Sequence, residues 1–111
     1  MANTFNNSST QLTTSTTVDI YACPSGAGAV AIVLSCLVAN VDGVNSADIT
    51  ISKTDSANTV TSYLAWTVPV PGDAALEVIP NKLVLKAGEK LRAAASSAND
   101  LDVTVSVLEI T

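Results

Sequence analysis

The chain has 111 residues, a net charge of −5 and a 48% apolar fraction, enough for one domain with one core. Only 14% of residues are charged, and His is absent. That balance argues against nucleic acid as the main partner, and it removes the commonest general base along with every Ser-His or Cys-His pairing. The aromatic content is one Phe, one Trp and two Tyr, so the apolar fraction rests on small and β-branched residues that suit pleated strands.

Residues 1–16 carry no charge and few apolar side chains. They are expected to form a flexible polar N-terminal arm, with Phe5 and Leu12 as its only sizeable anchors for a neighbouring subunit. Residues 17–111 are expected to form the folded domain. No secretory signal is expected, because the first residues lack a basic region followed by an apolar run.

From Thr17 onward a period of two dominates. Val18, Ile20 and Ala22 alternate with Asp19, Tyr21 and Cys23, and a Gly-containing turn follows at residues 24–28. The next strand is expected to place Val30, Ile32, Leu34, Cys36 and Val38 on its inward face. Its other face, with Ala31, Val33 and Leu37, is also apolar, as in a strand covered on both sides or buried in an assembly. The apolar run from Ala27 to Val41 falls short of the roughly 20 residues of a membrane helix. No membrane partner is expected.

Ile49 and Ile51 mark a further strand, and Val60, Leu64, Trp66, Val68 and Val70 one face of a long one, with Trp66 expected as a core anchor. Pro69 and Pro71 stop that strand, since Pro cannot donate to a ladder. Short strands are expected at Ala74–Ile79, around Leu83 and Leu85, and from Leu91 to Ala95. The last carries Leu101, Val103, Val105 and Val107. About eight strands without a convincing helix make an all-β, antiparallel β-sandwich, of jelly-roll or immunoglobulin-like type.

No constellation for chemistry stands out. The turn aspartates do not form a recognised calcium loop, and two cysteines without His do not complete a metal site. Cys23 and Cys36 are expected to be free thiols, Cys36 facing inward and Cys23 outward. No cofactor is implied, and the chain is expected not to be an enzyme. Two features suggest partners. Tyr21 and Tyr63 are expected on outward faces. Lys82, Lys86, Lys90 and Arg92 cluster around one expected hairpin, either to protect an edge or to meet an acidic surface.

The run Leu83-Val84-Leu85-Lys86-Ala87-Gly88-Glu89-Lys90-Leu91-Arg92, the small-residue strand after it, and Val103-Thr104-Val105-Ser106-Val107-Leu108-Glu109 together resemble small virion structural proteins of tailed bacteriophages. The Thr-rich opening and the segment Tyr21-Ala22-Cys23-Pro24 are similar to that group too, so the resemblance covers most of residues 15–110. It implies a capsid decoration or cement protein that binds the outer shell and stabilises contacts between major capsid subunits. It also implies virion localisation after assembly in the host cytoplasm, with the major capsid protein or other virion proteins as partners and a homo-oligomeric state. A tail or neck ring subunit is the alternative within the resemblance. A carbohydrate- or receptor-binding sandwich is the alternative outside it.

Overall fold

The computed structural model describes residues 2–79 and 81–111. Among these described residues nine strands run in chain order: β1 (Asn3–Gln11), β2 (Val18–Ala22), β3 (Val30–Asn40), β4 (Ala47–Thr54), β5 (Val60–Val70), β6 (Ala75–Glu77), β7 (Leu83–Lys86), β8 (Lys90–Ala95) and β9 (Leu101–Ile110). Sheet I has the order β1-β9-β3, with β6 and β7 pairing successive stretches of the far side of β3. Sheet II has the order β2-β8-β4-β5. All pairings are antiparallel. Counting β6 and β7 as one broken strand gives two four-stranded layers with the connectivity of a jelly roll. The all-β sandwich expected from the sequence is therefore the fold.

The core lies between the layers. Val33, Cys36, Val38, Leu85, Leu101, Val103, Val105 and Val107 of sheet I meet Ile20, Ile49, Ile51, Val70, Leu91 and Ala93 of sheet II. Asn40 is the notable polar residue among them. Its Nδ2 donates to the carbonyls of Val70 (2.9 Å) and Asn45 (3.0 Å), and its Oδ1 accepts from the amide of Asp42 (2.8 Å). A buried amide with these groups satisfied pins the β3–β4 loop instead of destabilising the core.

Several local expectations are corrected. Nine residues of the expected flexible arm form β1, in unbroken register with β9 from Asn3↔Ile110 to Gln11↔Asp102. Backbone pairing, which needs no apolar side chain, orders this polar segment. Leu12 closes it as a plug: its side chain is buried, its amide donates to Leu101 O, and its carbonyl accepts from Asn99, both at 2.9 Å.

Along β3 a bulge between Val33 and Ser35 exchanges the faces. Ala31 and Val33 point inward before it, and Cys36 and Val38 after it. Leu34 is therefore exposed, and Val30 and Ile32 are only half-buried. A bulge in β2 between Asp19 and Tyr21 buries Ile20 and Tyr21 together, and Cys23 beyond them is buried as well.

The expected basic hairpin is not a hairpin. β7 pairs with β3 in sheet I and β8 with β2 and β4 in sheet II, so the turn at Gly88 (φ 79°) carries the chain from one layer to the other. The amide of Glu89 closes that turn on Lys86 O at 3.0 Å.

Candidate interaction surfaces

Two outward faces carry clustered apolar side chains, and strand irregularities build one of them. On β5, Val68 lies opposite Ile49 and Ala65 opposite Ile51, so Trp66 and Thr67 together face the single residue Thr50. Thr67 absorbs the extra length at φ 48°, a costly conformation for a β-branched residue, and its amide is held by Thr50 Oγ1 at 3.1 Å. The bulge puts Trp66 outside, 62% exposed, which overturns its expected place in the core.

Trp66 there meets Tyr63, 52% exposed, edge to face with ring centroids 4.6 Å apart and planes at 82°. These rings line a groove of about 350 Å³ with Val60, Thr50, Arg92 and Thr17. Arg92 is fixed at the groove by its Nε donating to Asp19 Oδ1 at 2.6 Å, while Lys90 Nζ lies 3.7 Å from the other Asp19 oxygen. The face joins Trp66 and Tyr63 with the planar cation of Arg92, residue types enriched among the energetic hot spots of protein interfaces, beside the hydroxyls of Thr17 and Thr50.

The second face is the outside of sheet I. Phe5 is paired with Leu108, Leu108 with Ile32, and Ile32 with Val84. Directly opposed residues share a face, so these four form one apolar row across all the layer's strands. Its ends are the most exposed, Phe5 at 77% and Val84 at 55%. Leu34 and Leu37 are also exposed. The second apolar side of β3 expected from the sequence is thus built, though from residues redistributed by the bulge.

The sequence-predicted site residues divide between these places and the core. Phe5 and Tyr63 are exposed, one on each face. Leu12 and Tyr21 are buried, and neither presents a contact surface. Lys82 and Lys86 are exposed beside and on β7, whereas Lys90 and Arg92 are half-buried on β8 and engaged with Asp19. The basic residues do not form one patch. Trp66, Val84 and Leu108 were missed as surface residues, and no residue type around them announces the pairing that exposes them.

Both cysteines are free and buried. Burial pushes the Cys36 thiol up to about 12, and burial followed by the charge of Glu109 raises Cys23. Asp42 accepts from the amides of Val44 (2.9 Å) and Asn45 (3.2 Å), which hold its carboxyl below the usual range in a self-contained turn. Among the described residues no group of three or more His, Cys, Asp or Glu side chains is placed to hold a metal.

No family model matches the sequence, and no curated protein matches it in sequence. Solved structures do match in fold. A chain in the acid-stable capsid structure of Helicobacter pylori bacteriophage KHP30 superposes at a TM-score of 0.57 with 13% identity, over 100% of this chain and 89% of that one. A chain of the T13 particle of infectious bursal disease virus gives 0.54 with 8% identity, over 96% of this chain but only 30% of that one. The Drosophila NLP core, described for pentamer formation and histone binding, gives 0.52 with 11% identity, over 99% and 98%. Identities this low establish a shared jelly-roll architecture, which hosts many functions.

Proposed function

We propose that the chain is a structural protein of a phage virion, a decoration or cement protein that binds the outer shell and stabilises contacts between major capsid subunits. The observation that carries this reading is the end-to-end correspondence with a chain of the phage KHP30 capsid structure, over 100% of one chain and 89% of the other. The likeness spans most of a chain of similar length, unlike the bursal disease virus match, where it is 30% of a larger chain. The sequence resemblance to small phage virion proteins points the same way, and the role needs no catalytic residues.

In this reading the Tyr63–Trp66 groove is the shell-facing contact. A rigid aromatic pair held out on a strained bulge gives large contact area for little lost side-chain entropy. Arg92, already oriented by Asp19, adds a polar anchor at the same place. Co-sedimentation of purified chain with particles lacking it tests the assignment. Trp66→Ala with Tyr63→Ala weakens binding by roughly 30-fold or more, the scale of losing an interface hot spot. Undiminished binding refutes the groove as the contact, and no binding by the unaltered chain refutes the cement role.

The same groove supports a second reading, carbohydrate binding, because exposed Trp66 and Tyr63 stand beside hydroxyls and a guanidinium. Trp66 is the chain's one Trp, so its fluorescence reports the groove directly. A saturable emission change with a saccharide supports this reading, and a flat titration across neutral and acidic saccharides removes it.

A further inference from the structure

The four sheet edges of this sandwich are guarded very unequally. β5, an outer strand of sheet II, has three register shifts against β4, contains Pro69 and carries Thr67 at positive φ. β2, the other outer strand, is five residues long, bulged, and bears Asp19. On the far side of sheet I, β6 and β7 are three and four residues long, with Lys82 and Lys86 flanking the open side. These are the devices that stop strands from pairing with strangers.

β1 has none of them. It is nine residues long, pairs with β9 in continuous register, and contains neither Pro nor a charged residue. The first charged residue of the chain is Asp19. The hydrogen bonds at its two ends fix which groups are free: Ala2 exchanges both bonds with Thr111 (2.9 and 3.0 Å), and Leu12 donates to Leu101 (2.9 Å). Even-numbered residues therefore face β9. In an antiparallel ladder the odd-numbered ones, Asn3, Phe5, Asn7, Ser9 and Gln11, turn their N–H and C=O groups to the open side. Of these amides, that of Asn7 is held by the exposed side chain of its neighbour, Asn6 Oδ1 at 2.9 Å, a contact that a pairing strand must displace.

We propose that this edge is the docking site for the β1 edge of a second copy of the chain, antiparallel about a twofold axis at Asn7. The occupant must be extended, about nine residues long and uncharged, and β1 is itself such a strand. Centring on Asn7 brings outward-turned residues onto outward-turned residues: Asn3 opposite Gln11 of the second copy, Phe5 opposite its Ser9, and Asn7 opposite its Asn7. Two chains of net charge −5 then meet along a seam without charged side chains. The pairing is isologous, so it closes at a dimer rather than propagating. Phe5, 77% exposed at the outer end of the apolar row, gains the cover of neighbours from the other copy.

This inference stands apart from the virion reading, since purified chain alone decides it. Sedimentation equilibrium of the full chain gives a dimer, and hydrogen exchange at the Phe5 and Ser9 amides slows as concentration rises. Ser9→Pro removes an amide that faces the open side, so the β1–β9 ladder keeps its bonds while the twofold seam loses two, one from each copy. Asn7→Lys places two like charges together at the twofold axis. Both variants are monomeric with an unchanged circular dichroism spectrum, and the Asn7→Lys monomer regains dimer at high salt. A wild-type chain that stays monomeric at several hundred micromolar overturns the proposal. A dimer that survives both substitutions does so too, by showing that another surface holds it.

Discussion

The phenolic hydroxyl of Tyr21 on β2 donates to the carboxylate of Glu109 on β9, a hydrogen bond that joins the two sheets across one end of the sandwich. The bulge between Asp19 and Tyr21 turns the ring inward, and burial followed by this bond raises the Tyr21 pKa well above its ordinary value of 10.0. Its neutral form is thus favoured in the folded chain. The stabilisation is complete below pH 10 and declines as pH rises beyond it, because the unfolded chain loses the proton first. Tyr21→Phe should cost about 1 kcal/mol at neutral pH by leaving the carboxylate without its donor. Urea unfolding at pH 7 and pH 10.5 checks this, with the gap between wild type and variant narrowing at the higher pH.

Leu12→Ala should destabilise by roughly 2–5 kcal/mol, as expected for a truncated buried leucine, although it lies in a segment that reads as a polar arm. Removing residues 1–12 should do so at least as strongly, because it strips β1 from β9. Thermal unfolding measures both. Retention of the wild-type midpoint by the truncated chain would mean that β1 contributes nothing to the fold.

What the sequence reveals is the period-two pattern, and with it the strands, their approximate ends and the two-layer class. It hides every place where that period breaks. Continuing the alternation puts Leu34, Trp66 and Tyr21 each on the wrong side, because a bulge precedes or contains it. A bulge adds one residue without a required residue type, and Thr67, a β-branched residue at positive φ, is an unfavourable guess for one. β1 escaped notice for another reason: its order comes from pairing with β9, the last strand of the chain, which no local pattern records. The Lys82–Arg92 cluster failed as a patch because a turn between layers and a turn between paired strands look alike in sequence.

Thr67→Gly should stabilise the fold by about 1 kcal/mol, since glycine takes the left-handed conformation without the clash a threonine Cβ makes there. Trp66 should remain outside, so its fluorescence maximum should not move. A raised thermal midpoint with unchanged emission is the expected pair of observations. A blue-shifted emission would show that Thr67, and not the register alone, holds Trp66 out.

Glu89 links the interlayer turn to sheet II. Partial burial would raise its pKa, but the amide of Lys86 at 2.8 Å and Lys53 Nζ at 2.9 Å outweigh this and hold it below the ordinary 4.5. A depressed carboxylate contributes stability that is complete above its unfolded value and is lost as pH falls through the folded one. Glu89→Gln should therefore cost about 1 kcal/mol at pH 7 and less at pH 3, measured by urea unfolding at both.

The proposed place of this jelly roll, bound to a phage shell, can be seen by cryo-electron microscopy of purified particles. Density for the sandwich is expected on the outer surface in many symmetry-related copies, with the Tyr63–Trp66 groove turned toward the major capsid protein. Density confined to the tail or neck would contradict the cement role, and particles without the chain would contradict a virion role altogether.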